Sequence, residues 1–205
     1  MNNNKGLTLV EVIAVLVVLS IIAVIVTPNL AVSIKDYKQR VMTTQLSSIT
    51  GATKNWVADN IDKVTCTTDN TSALAISIAE LQTGAYLDEK IKNPYGGYMD
   101  DTDAFGLVSC KEIVDETGKL QTNYDYTYGA YLAISDYQKK RAIEYIKDTT
   151  KQSGQVTTST LQSNGYMYTS IKDASNKVVS IPSKTINVTV TEDDDGTLKY
   201  EASIN

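Results

Sequence analysis

The stretch from Leu7 to Val26 constrains this chain more than any other: it is built of Leu, Val, Ile and Ala with a few small hydroxyl residues, and Glu11 is its sole charge. About twenty residues at a helical rise of 1.5 Å span roughly 30 Å, the thickness of a bilayer's hydrocarbon core. A secretory signal peptide has a shorter apolar region closed by small residues at a cleavage site. Here Pro28 is followed by Asn29-Leu30-Ala31 instead, so the segment reads as a membrane-spanning helix. A carboxylate inside such a helix costs a few kcal/mol, about 2.5–3.5 on insertion scales, and calls for a partner. An α-amino group on a neighbouring subunit, freed by cleavage between Gly6 and Leu7, would supply one. Opposite charges in a low-dielectric bundle attract strongly and offset each other's desolvation.

Past the apolar run, Leu30, Ile34, Tyr37 and Val41, then Leu46, Ile49, Thr53 and Trp56, recur at three and four residues. That period predicts a helix continuing to about Asp59, with a membrane half and an amphipathic half. Pro28 lacks an amide hydrogen and crowds the preceding turn, so a kink is expected there, and with it a point where the helix unwinds during extraction from a membrane. Asn60 to Ser72 reads as a loop or short strands and Ala73 to Thr83 as a helix. Leu107 to Val114 and Leu120 to Tyr131 read as strands joined at Asp115-Glu116-Thr117-Gly118. Tyr124, Tyr126 and Tyr128 then share one face. The expected class is α+β: a long N-terminal helix packed on an antiparallel sheet.

Leu81-Gln-Thr-Gly-Ala-Tyr86-Leu, followed by Ile91-Lys92, returns eighty residues later as Leu161-Gln-Ser-Asn-Gly-Tyr166-Met, followed by Ile171-Lys172. Ile134 to Thr150 reads as a helix before the second copy. Val178 to Ile181, Ile186 to Thr191 and Leu198 to Ile204 read as strands after it, with a turn at Asp193 to Gly196. A second module at about 134–205, without its own membrane segment, is one reading. A single larger head with extra sheet is the other.

Cys66 and Cys110 both follow the apolar segment, where an exported domain permits a disulfide; free thiols and a metal site are the competing readings. The chain has no His, which argues against a structural zinc site. Asp100, Asp101 and Asp103 lack the spacing of a calcium loop and read as a solvated turn, so no metal and no cofactor are expected. Without His, a nucleophile elbow or a phosphate loop, the chain is not expected to be an enzyme. A net charge of −5 gives no basis for a broad nucleic-acid surface.

The joint pattern of Lys5-Gly6, Leu7, Glu11 and Pro28 resembles the class III signal of type IV prepilins and pseudopilins, with Leu7 where Phe is commoner. Gly84-Ala-Tyr-Leu and Pro94-Tyr-Gly resemble their connector between helix and sheet. The resemblance implies a leader at 1–6, a transmembrane and filament-core segment at 7–28, and a pilin head at 29–133, with 134–205 as a pilin-like module if duplicated. It implies cleavage after Gly6, N-methylation of Leu7, and Glu11 as an assembly residue. It also implies other pilin subunits, a prepilin peptidase, an assembly ATPase and a membrane platform as partners. The chain would be a single-pass membrane precursor and then part of an extracellular pilus, of a secretion or DNA-uptake pseudopilus, or of an adhesive tip.

Overall fold

The computed structural model describes residues 8–88, 90–99, 103–117 and 119–204, with the side chains of 23–31 and 120–122 outside the description. The chain divides into two compact units, Met1–Thr43 and Thr44–Asn205. Helix α1, Leu9–Asp59, belongs to both.

In the second unit α1 buries Ile49, Ala52, Thr53, Trp56 and Val57, the stripe that a helical period dictates. The stripe lies against a five-stranded sheet centred on β3, Phe105–Val114. At Gly106 the approach is tight enough that any Cβ would collide with the side chain of Thr53. The residues alternating with Gly106 on that face are Val108 and Cys110, both fully buried. One edge of β3 carries β4, Leu120–Tyr131, antiparallel in the register Val108 to Tyr128. The other edge carries β2, Ser72–Ser77, antiparallel along residues 105–108, and β1, Cys66–Thr67, parallel and paired directly with β3 at Cys110 and Lys111. β6, Ser170–Asp173, adds in parallel to the outer edge of β2.

The sheet is therefore mixed rather than antiparallel throughout, because segments from distant parts of the chain fill the edges. The stretch expected as one helix from Ala73 to Thr83 is instead strand β2 followed by a short helix α2, Ile78–Thr83. Ser77 marks the change: its hydroxyl accepts from the Glu80 amide at 3.2 Å, capping α2. Val178 to Ile181, expected as a strand, makes only an isolated bridge between Val178 and Lys172.

On the opposite face of β3, Phe105 and Leu107 pack toward helix α3, Ile134–Asp148. Phe105, Tyr131, Tyr137 and Tyr168 form a run of ring contacts, with centroids 5.8, 4.9 and 6.3 Å apart. The Tyr168 hydroxyl donates to Ser109 Oγ at 2.7 Å, and the Tyr168 amide donates to the Tyr137 oxygen at 3.1 Å. The buried Ser109 and Tyr137 hydroxyls are thereby satisfied, as burial requires. Ala142 and Ile146 of α3 join Val156, Leu161, Ile186 and Val188 in the same core. Those residues come from a three-stranded antiparallel sheet and helix α4, Thr158–Ser163. The strands are β5, Gly154–Thr157; β7, Thr185–Glu192; and β8, Leu198–Ile204, in the order β5-β7-β8.

The geometry of the first half recurs in the second at an offset of eighty residues. Thr157 caps α4 by accepting from the Thr160 amide at 3.1 Å, as Ser77 does for α2. The amides of Tyr86 and Leu87 donate to the Leu81 carbonyl at 2.9 and 3.2 Å, and those of Tyr166 and Met167 to the Leu161 carbonyl at 2.8 and 3.2 Å. Ala85 and Gly165 take positive φ at equivalent places, 58° and 74°. Further on, Met99 to Ile91 and Val179 to Ile171 repeat one backbone bond at 2.8 Å. Ser77 pairs with Phe105 and Thr157 with Thr185, so the strand register is preserved as well.

Candidate assembly site

Thr8 precedes the first helical residue, and Glu11 lies three positions on. The spacing is that of a capping box, in which the two side chains satisfy each other's backbone amides. The Thr8 amide and hydroxyl donate to Glu11 Oε2 at 2.8 and 2.9 Å, and the Glu11 amide donates to Thr8 Oγ1 at 3.3 Å. A carboxylate in the first turn also meets the positive end of the helix dipole. Glu11 is thus held by its own chain at the helix start. Sequence reasoning singled out Glu11 and passed over Thr8, although Thr-x-x-Glu is itself a readable signature.

From Leu9 to Ile22 the Leu, Val and Ile side chains are exposed, from 42% at Val12 to 76% at Leu9. Monomeric soluble proteins rarely leave so continuous an apolar surface open. Among the described residues no helix is long and apolar enough to cross a membrane. The described apolar stretch is about 21 Å of helix, and the sequence stays apolar through Ala23-Val24-Ile25-Val26, whose side chains lie outside the description. Gly6 and Leu7 also lie outside the described residues. Pro28 sits within α1, whose backbone is helical from Leu9 to Asp59.

Residues 1–27 match the family model of the prokaryotic N-terminal methylation motif. The chain carries the class III signal of type IV pilins. No curated protein and no solved structure matches it. The motif is a cleavage and assembly signal addressed by prepilin peptidase, and it supports a type IV pilin-like or pseudopilin precursor.

Behind the signal, Cys66 and Cys110 form a disulfide between paired positions of β1 and β3, with Cα atoms 4.4 Å apart. It ties the segment leaving α1 to the middle of the sheet. Two further ties were not foreseen from the sequence. The Tyr86 hydroxyl donates to Asp59 Oδ2 at 2.9 Å, at the end of α1. The Tyr166 hydroxyl does the same to Asp148 Oδ2 at 3.0 Å, at the end of α3. Each fastens the connector after a short helix to the end of the long helix before it. The aligned tyrosines were visible in the repeat; their carboxylate partners, which do not share its eighty-residue spacing, were not. Asp103 is exposed, Asp100 and Asp101 lie outside the described residues, and no cluster among the described residues could hold a metal ion.

Proposed function

We propose that this chain is a structural subunit of an extracellular type IV pilus, held in the membrane as a single-pass precursor and added to a helical filament through its N-terminal helix. The observation that carries the reading is the methylation signal joined to an exposed apolar helix with one carboxylate in its first turn. Cleavage after Gly6 would create the α-amino group of Leu7, and N-methylation leaves it cationic at neutral pH. Glu11 of one subunit then pairs with Leu7 of its neighbour, setting register in the filament core. Pro28 gives a weak point in the helix, since the carbonyl four residues earlier has no amide to accept from. The second unit forms the outer surface, stiffened by the Cys66–Cys110 bridge. In this reading 134–205 is a second pilin-like module whose long helix has been cut back to α3. The repeated caps, turns and register support it. Other copies of the chain, a prepilin peptidase and a membrane platform are the partners this implies.

Replacing Glu11 with Val tests the pairing, because Val removes the charge while keeping the helix apolar. The variant should insert into the membrane at the normal level and fail to appear in sheared filaments. Filaments of normal abundance from Glu11→Val would overturn the pairing. A chain confined to a short periplasm- or wall-spanning assembly, with no surface fibre, would instead place it among pseudopilins.

A further inference from the structure

β4 has twelve residues, is the longest of the described strands, and among the described residues pairs with β3 alone. Its other edge presents backbone donors and acceptors in a row, the arrangement that recruits a further strand. Natural edges of this length are usually blunted by Lys, Pro or a covering segment. β4 contains neither Lys nor Pro, and Asp125 is its only charge. Tyr124, Tyr126 and Tyr128 stand on the same face as Cys110 and Val108, beside α1, and Tyr124 is 52% exposed.

We propose that this edge pairs with the β4 edge of a second copy, antiparallel about a two-fold axis at Tyr126. The choice of partner and register follows from the side chains. With the axis at Tyr126, Tyr124 lies opposite Tyr128 of the other copy on both sides and Tyr126 faces its own equivalent, giving three aromatic cross-strand pairs. Asp125 then lies opposite Thr127, and Asn123 opposite Gly129. Moving the axis one residue back sets Asp125 against Asp125, a like-charge pair that opposes association. Moving it one residue forward leaves only two tyrosine pairs. The strand is therefore most complementary to itself, as an isologous contact demands. Neighbours along a polar filament are not related by such a two-fold, so if the pilus reading holds, the contact joins subunits of two filaments. The pairing of heads does not itself depend on that reading.

Cysteine cross-linking of the full-length chain in detergent micelles tests the proposal, with the native cysteines already bonded to each other. Residues directly opposite in an antiparallel pair have Cα atoms about 4.5–5.5 Å apart, within disulfide range. Under mild oxidation Tyr126→Cys should shift from 22.4 kDa to twice that mass and return on reduction. Asp125→Cys and Thr127→Cys, mixed, should link to each other while neither links to itself, so the register is tested even if Tyr126→Cys folds poorly. Thr189→Cys, exposed on β7, is the control. Monomers throughout, or linking by Thr189→Cys as readily as by the β4 variants, would overturn the pairing whether or not the chain forms pili.

Discussion

Tyr137 is fully buried between the two sheets, and burial pushes its phenol well above the usual tyrosine range; burial raises Tyr131 beside it as well. A group whose folded pKa is raised stabilises the fold fully below its unfolded value and loses that contribution as pH climbs toward the folded value. The head should therefore hold its stability up to about pH 10, the ordinary tyrosine value, and weaken above it. Circular dichroism melts between neutral and strongly alkaline pH should show the fall, and Tyr137→Phe should flatten it. Gly106 is a second sensitive residue, because a Cβ there meets Thr53 and neither backbone nor buried helix can yield freely. Gly106→Ala should cost about 1–3 kcal/mol by overpacking, read as a lower melting temperature. Glu11 and Gly106 differ in legibility. The carboxylate stood out against an apolar background, whereas the glycine's role exists only once helix and strand are brought together.

Among the elements, α1 was readable to within a few residues of its start and close to its end, since a long apolar period leaves few alternatives. The hairpin of β3 and β4 was readable because two runs rich in β-branched and aromatic residues flank the turn-forming sequence Asp115-Glu116-Thr117-Gly118. β2 was not. Ser72-Ala-Leu-Ala-Ile contains good helix formers, and pairing with β3 on one edge and β6 on the other overrides that local preference. β5 and β6 were missed for the same reason, as four-residue polar segments that exist only through their partners. The Cys66–Cys110 bridge closes a loop of 44 residues. Replacing both cysteines with Ser should lower stability by about 2–4 kcal/mol, and a mass increase of two hydrogens on reduction would verify the bond itself.

At the scale of the molecule, the two stretches of the second unit related by the eighty-residue offset share one core and do not hang as separate beads. Ala75, Phe105 and Leu107 on the first sheet are apolar and buried, while their equivalents Gln155, Thr185 and Asn187 on the second sheet are polar. The second sheet thus keeps its apolar face, Val156, Ile186 and Val188, in the shared core and presents polar residues on the other. Because the aromatic run from Phe105 to Tyr168 crosses the junction, the head should melt in a single transition. Leu161→Ala, in the second repeat, should lower the melting of the whole head by the equivalent of about 2–5 kcal/mol. The eighty-residue correspondence was legible in sequence through Leu81 and Leu161 and the tyrosines after them; the shared core was not, since it depends on Tyr137 and Tyr168 meeting residues far away in the chain. The central claim, processing followed by export into a filament, is tested most directly by intact mass and N-terminal sequencing of the chain in sheared surface material. A chain beginning at N-methylated Leu7 is the predicted result. A chain retaining Met1 and found only in membranes would contradict it.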